Sequence, residues 1–177
     1  NDLFIYFLKG EIFITLYSEG EFRQTSIIPD GLESIYETLN ETLKLKDFSF
    51  EDFLELLVKN GLDSNNYEED KTKFFSDLSE LFSNRFLVIS NQIHVIIRKF
   101  GLTTIDRIFM STLKGSIPGI SEFANMYLGV EANDLKFDRE YNPDNLEIDQ
   151  FLFLSMLYAK VAYSKNIQDD NVESFKR

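Results

Sequence analysis

Hydrophobic residues in the first thirty positions follow the pattern of three short β-strands. The runs Leu3–Lys9 and Glu11–Tyr17 are rich in β-branched and aromatic residues, and a glycine follows each of them closely. A third run, Glu21–Ile28, alternates between polar and apolar residues and stops at a proline. Short turns between such runs predict an antiparallel meander. The first run is apolar throughout, which predicts a strand buried on both faces.

Two helices are predicted after the meander. Apolar residues recur at helical spacing from position 32 to position 43, which predicts the first helix. Asp30 stands just before this run, at the position expected for an N-cap. Ser49 and Asp52 form a capping box for the second helix, which Gly61 is expected to end.

The remaining pattern alternates between helices and strands. A long amphipathic helix is predicted from about Glu69 to Phe100, with Gly101 as its C-terminal cap. The later predicted elements are a strand at Arg107–Ser111, a helix at Ile120–Leu128 closed by Gly129, a strand at Val130–Phe137 and a buried helix at Ile148–Tyr163. This order predicts an α/β fold with a mixed sheet.

Composition excludes some classes of function. The chain has 177 residues, of which 44% are hydrophobic, enough for one compact core. Its net charge of −12 argues against a nucleic-acid partner, which requires a positive face. It contains no cysteine, which excludes disulfides, thiolate metal sites and cysteine nucleophiles, and is typical of a reducing cytoplasm. The most apolar stretch, Phe151–Ala159, is shorter than the ~20 residues that span a bilayer.

No catalytic or metal-binding constellation is found in the sequence. His94 is the only histidine and lies inside the predicted long helix, where a core or interface role is expected. Acidic pairs such as Glu51 with Asp52 point in different directions on a helix, so we interpret them as solvated faces and helix starts. The chain contains neither a P-loop nor a GxGxxG motif. We therefore expect no enzyme activity, no cofactor and no metal.

The segment Ser111–Gly119 lies at a predicted strand-to-helix junction, where backbone N–H groups often hold a phosphate or a nucleoside. The alternative is that Pro118-Gly119 is only a tight turn.

The order of elements, together with a strand followed by Ile117-Pro118-Gly119-Ile120, resembles the second lobe of the actin-like ATPase superfamily. Within it, the pattern is similar to type IV pilus PilM, cell-division FtsA and the cytoplasmic domain of type II secretion GspL. The resemblance implies a ribonuclease H-like lobe with a mixed five-stranded sheet over residues 1–163. It also implies a helical insertion at about 30–70 and a flexible tail at 164–177.

Motif positions of the superfamily are altered in this chain. Its first strand usually carries Asp-x-Gly, but Tyr6 and Leu8 stand at those positions. Thr112, Leu113 and Lys114 stand where a later glycine motif is expected. A tyrosine cannot hold a metal-bound phosphate as a carboxylate does. The resemblance therefore implies a lobe with degenerate nucleotide-binding motifs.

These observations favour a non-catalytic scaffold or docking domain of a pilus or secretion machine, whose partner is an assembly ATPase or an inner-membrane component. The resemblance places it in the cytoplasm and allows a homodimer and a membrane tether beyond Arg177. Two alternatives remain open: one lobe of an active actin-fold ATPase or kinase, and an FtsA-like filament domain. Phe48, Phe50 and Tyr67 are candidate partner-binding residues, with burial in the core as the alternative.

Overall fold

The computed structural model describes residues 1–68, 71–112, 117–130 and 132–134. Its strands are β1 (Asp2–Phe7), β2 (Glu11–Ser18), β3 (Glu21–Pro29), β4 (Arg107–Thr112) and β5 (Ala132–Asp134). Its helices are α1 (Leu32–Leu43), α2 (Phe50–Asn60), α3 (Thr72–Phe100) and α4 (Ile120–Leu128), with a 3-10 turn at Ser64–Asn66.

The strands form one mixed sheet in the order β3-β2-β1-β4-β5. The meander β1-β2-β3 is antiparallel, whereas β4 pairs parallel with β1 and β5 pairs parallel with β4. All six residues of the central strand β1 are buried. The mixed sheet, the meander and the two-sided burial of β1 confirm the sequence predictions.

Helix α1 begins differently from the prediction. Asp30 does not cap it: the N-cap is Gly31, and no side chain caps the first N–H groups of the helix. Instead, the N–H groups of Leu32 and Glu33 donate to backbone carbonyls of the β1–β2 turn, at 2.9 and 2.8 Å. Backbone carbonyls of a neighbouring turn thus accept the helix N–H groups that a capping side chain would otherwise satisfy.

The other helix ends agree with the sequence. Ser49 and Asp52 form the predicted capping box of α2, and its C-terminal cap is Gly61. Gly101 closes α3 and Gly129 closes α4, both in the left-handed conformation that glycine adopts readily. Helix α3 begins at Thr72 with Lys71 as its N-cap, and the predicted start at about Glu69 lies outside the described residues.

The main core lies between one face of the sheet and the helices. Leu3, Ile5 and Phe7 alternate along β1 and point into it. The ring of Phe7 packs against those of Phe82 and Phe86 of α3, with centroids 6.3 and 5.9 Å apart. Buried residues of α1 and α2 belong to the same cluster, so these helices share one core with the sheet.

The second face of the sheet carries a row of aromatic rings. Phe4 of β1 packs against Tyr17 of β2 and Phe109 of β4, with centroids 5.5 and 5.0 Å apart. Phe22 of β3 extends the row through an edge-on contact with Tyr17 at 5.9 Å. Offset and edge-on contacts of this kind are the favoured geometries for aromatic pairs.

Strand β3 forms one edge of the sheet and carries features that disfavour further pairing. It ends in Pro29, which has no N–H to donate, and Glu21 and Arg23 place charges along it. The register with β2 shifts between Leu16 and Tyr17. Irregularity, charge and proline on an edge strand are common protections against unwanted strand addition.

Predictions for the C-terminal quarter lie mostly outside the described residues. These are the helix at Ile148–Tyr163, the tail at 164–177 and most of the strand at Val130–Phe137, of which only β5 is described. The division into lobe, insertion and tail therefore stays a prediction. No helix in the described ranges is both long enough and apolar enough to cross a membrane.

The packing predicts the effect of removing one ring from α3. Phe82 is fully buried, so Phe82→Ala should lower the free energy of unfolding by about 3–5 kcal/mol. Urea denaturation followed by circular dichroism measures the loss. Met126→Ala is the control, because Met126 is 71% exposed and its truncation should change stability by no more than ~0.5 kcal/mol. Equal effects of the two substitutions would contradict the core assignment.

Candidate functional site

The two strands that carry the altered motifs are neighbours, and their carboxyl ends lie at the same edge of the sheet. Tyr6 of β1 is paired in register with Ser111 of β4, and Phe7 with Thr112. Ligands of α/β proteins commonly bind outside the carboxyl ends of parallel strands. This edge is therefore the candidate site.

Tyr6 is 2% exposed and lies in the aromatic cluster of the second face with Phe4 and Tyr17. Leu8 is half-buried against the same cluster. The two positions at which the resemblance places an aspartate and a glycine thus carry side chains packed into an apolar cluster. Leu113 and Lys114 lie outside the described residues, and Thr112 is buried.

The turn between β1 and β2 is held against the start of α1. The N–H of Leu8 donates to the carbonyl of Glu11 at 2.9 Å, which closes the turn. The carbonyls of Leu8 and Lys9 accept the N–H groups of Leu32 and Glu33. The start of a helix normally offers such N–H groups to anions, but here the turn accepts two of them.

Gly31 makes this contact sterically possible. A Cβ at position 31 would lie 2.4 Å from the carbonyl oxygen of Leu8 and 2.7 Å from that of Lys9, distances that no side chain tolerates. The side chain of Lys9 is also engaged: its Nζ is 3.1 Å from Glu33 and 5.1 Å from the centre of the Phe50 ring. The ammonium group of Lys9 is therefore engaged by Glu33 of α1 and by the Phe50 ring of α2.

Pro118 and Gly119 occupy the central positions of a tight turn. The N–H of Ile120 donates to the carbonyl of Ile117 at 3.1 Å, and Gly119 has φ 77° and ψ −1°. Proline followed by a glycine of positive φ is the sequence of a type II turn. The carbonyl of Pro118 accepts the N–H of Leu62 at 2.8 Å, so this turn is joined to the end of α2.

Gly61 lies directly against the Pro118 turn. A Cβ at position 61 would lie 2.0 Å from the carbonyl oxygen of Pro118, and Gly61 has φ 65°. Both the contact and the conformation require glycine. The sequence predicts Gly61 as a helix end but contains no signal for its partner, because the contact joins positions far apart in the chain.

Tyr67 also bonds to Gly61, the residue that contacts the Pro118 turn. Its hydroxyl donates to the carbonyl of Gly61 at 2.8 Å, and its ring packs on Phe75 at 5.1 Å. Burial raises the pKa of Tyr67, so the hydroxyl stays protonated and remains a donor.

The candidate partner-binding residues belong to one aromatic group, in which Phe48 and Phe50 contact Tyr36, and Tyr67 is joined to Phe48 through Phe74. Phe50 is buried in the core, and Phe48 and Tyr67 are half-buried against it. The rings of Phe48 and Phe50 lie 6.1 and 5.7 Å from that of Tyr36, whose hydroxyl donates to the carbonyl of Phe48. Their packing within the chain accounts for these rings, and contact with a partner stays a prediction.

A cavity of about 410 Å³ lies at the opposite end of the sheet, beside the start of β4. Ile93, Ile105 and Ile108 line it together with His94. Nδ1 of His94 is 2.8 Å from the carbonyl oxygen of Ser90, one helical turn earlier. His94 is exposed rather than buried, and no group of three metal-ligating side chains converges anywhere in the described ranges.

Ser111 begins the predicted Ser111–Gly119 junction, but the sequence does not predict the state of its hydroxyl. This residue is 3% exposed, and its hydroxyl has no hydrogen-bond partner among the residues that the structure describes. It stands opposite Tyr6 on the second face of the sheet. Buried hydroxyls are usually satisfied, and no sequence pattern distinguishes this one from an ordinary strand serine.

Comparison with solved structures supports the fold. The ethanolamine utilization protein EutJ from Carboxydothermus hydrogenoformans matches 75% of this chain with a TM-score of 0.53 and 16% sequence identity. The chain spans 43% of the length of that EutJ structure.

The chain has an α/β fold of the ribonuclease H-like type, as the sequence predicts. A second match, to the activator of 2-hydroxyisocaproyl-CoA dehydratase from Clostridium difficile with bound ADPNP, covers 95% of this chain and 63% of that one. Its TM-score is 0.43 at 10% identity. No protein-family model and no curated protein sequence matches the chain.

The Gly61–Pro118 contact predicts a large effect of a small side chain. Gly61→Ala should lower the free energy of unfolding by about 3 kcal/mol or more, because it combines a disfavoured backbone conformation with a backbone collision. Gly101→Ala is the matched control: Gly101 also has positive φ, 62°, but no atom of the described ranges lies within 4 Å of an added Cβ. That substitution should cost about 1–2 kcal/mol. Equal losses in thermal or urea unfolding would show that the contact places no constraint on the fold.

Proposed function

We propose that this chain is a non-catalytic lobe with the actin-like fold, which serves as a docking domain and does not bind nucleotide. The observation that carries the proposal is the internal bonding of the candidate edge. Leu8 and Lys9 bond to the start of α1, and Pro118 bonds to Leu62. These backbone groups of the two turns therefore have partners within the described part of the lobe.

The side chains at the same edge support the proposal. A nucleotide with its magnesium ion requires oxygen ligands and cationic or N–H donors around the phosphates. Tyr6 is buried among aromatic rings, and Lys9 pairs with Glu33. In addition, the chain spans less than half of the EutJ structure. A site built between two lobes would thus need a second lobe.

We place this docking domain in the assembly machinery of a type IV pilus or type II secretion system, on the cytoplasmic side. The support is the order of elements and the Pro118-Gly119 turn before α4, which resemble PilM and GspL. In that setting the partner is an assembly ATPase or an inner-membrane component. The net charge of −12 favours a partner surface with basic residues.

One lobe of an active ATPase is the second candidate. The observation in its favour is the adjacency of β1 and β4, which brings the two motif-bearing strand ends together. In this alternative, nucleotide binding would have to replace the hydrogen bonds of the Leu8–Lys9 turn and of Pro118.

Thermal unfolding with Mg·ATP separates the two candidates. A dissociation constant of about 10 μM would stabilise the chain by ~2.7 kcal/mol at ~1 mM nucleotide. For a chain of this length, that raises the Tm by about 5–10 °C. We expect no shift, either for this chain or for the longest natural form of the protein that contains it.

Mg·ADP and magnesium tripolyphosphate serve as controls, because they separate recognition of the base from binding of phosphate alone. A saturable shift with Mg·ATP, accompanied by phosphate release, would overturn the docking proposal in favour of the ATPase. Direct binding of the assembly ATPase encoded by the same organism, measured by calorimetry without nucleotide, would support the placement in a pilus or secretion machine. If the chain binds neither the assembly ATPase nor the inner-membrane component, that placement is contradicted.

A further inference from the structure

The outward face of α3 carries apolar side chains that remain exposed in the described part of the chain. Leu87, Val88 and Val95 are 52%, 44% and 52% exposed. They lie at helical spacings of seven and eight residues, so they form one stripe along the helix. Asn91 stands in the middle of this stripe and is also exposed. We refer to these four residues as the α3 stripe.

Opposite charges flank the α3 stripe. Glu80 lies on the same side of the helix towards its N-terminus, and Arg98 towards its C-terminus; both are exposed. Five turns of helix, ~27 Å, separate them, so they cannot pair within one chain. Neither side chain forms an ion pair with another residue in the described ranges.

We propose that the α3 stripe binds the α3 stripe of a second copy of this chain in antiparallel orientation. In that arrangement Glu80 of each copy faces Arg98 of the other. The midpoint between Glu80 and Arg98 is position 89, and the midpoint between Leu87 and Val95 is position 91. The two centres differ by only ~3 Å along the helix. With the crossing point at position 91, Leu87 of each copy is level with Val95 of the other, and Glu80 lies four residues, ~6 Å along the axis, from Arg98 of the other copy, an offset that the two long side chains can span.

Asn91 is suited to the centre of such a pair. Near a two-fold axis, its amide meets the same amide of the second copy, and each can both donate and accept a hydrogen bond. A polar side chain at the centre of a helix pair typically selects one register and orientation at some cost in affinity. A parallel arrangement would instead bring Glu80 against Glu80 and Arg98 against Arg98, which is repulsive.

The size of the α3 stripe predicts a weak, reversible dimer. Three half-exposed apolar side chains per copy are fewer than a standard stable interface contains, so we expect dissociation constants in the micromolar range. The inference does not depend on the docking proposal: the α3 stripe lies on a helix face, whereas the candidate site lies at the strand ends.

Charge reversal tests the orientation. Sedimentation velocity over a range of concentrations should show that Glu80→Arg or Arg98→Glu alone weakens dimerisation roughly fivefold to thirtyfold. The double variant should recover the affinity of the unmodified chain, because the pairs reform with opposite polarity. Val95→Glu should abolish the dimer, and Met126→Glu, outside the α3 stripe, should leave it unchanged. Circular dichroism confirms that each variant is folded.

A cross-link locates the axis independently. Since the chain has no cysteine, Asn91→Cys introduces a single thiol. Mild oxidation should convert this variant to a covalent dimer, whereas Met126→Cys should remain largely monomeric under the same conditions. A chain that is monomeric at ~100 μM, a dimer insensitive to charge reversal, or a double variant that is not rescued would each overturn the proposal.

Discussion

The parallel pairing of β1 with β4 is the interaction on which the rest of this lobe depends. It joins the N-terminal meander to the part of the chain that follows the long helix, and so closes the sheet around β1. Every residue of β1 is buried, with aliphatic side chains and Phe7 on one face and Phe4 and Tyr6 on the other. A strand buried on two faces and paired on two edges leaves little freedom for register errors, because a shift of one residue would exchange the two faces.

The same pairing determines what the candidate site contains. Parallel strands bring their carboxyl ends together at Phe7 and Thr112; the turn that follows β1 meets the start of α1, and the Pro118 turn meets the end of α2. In this chain their backbone groups bond to one another, and Gly31 and Gly61 permit contacts that any larger residue would block. The edge at which related folds offer room for a ligand is thus part of the packing between the sheet and the helices α1 and α2.

Local signals in the sequence predicted most of the elements, and long-range contacts account for the differences. The Ser49–Asp52 capping box and the glycines at 61, 101 and 129 act within a few residues, so their helix ends could be predicted. Asp30 has the chemistry of a cap, but the β1–β2 turn bonds to α1 one residue later and makes Gly31 the N-cap. The Gly61–Pro118 contact and the unpaired hydroxyl of Ser111 depend on residues distant in sequence, and no periodicity reveals them. Contact of Phe48, Phe50 and Tyr67 with a partner remains a prediction, since all three rings pack against other aromatic residues of the chain.

Strand β3 leaves one border of the sheet open, and its proline, its charges and its irregular pairing with β2 have a consequence for how copies of this lobe meet. Growth of a continuous sheet from one molecule to the next requires a long, regular border with free donors, which is also the template for amyloid. In this lobe, Pro29, the charges and the register shift of β3 disfavour such growth. Assemblies of this lobe should therefore be built from side-chain contacts, which dissolve on dilution, rather than from shared backbone ladders, which do not.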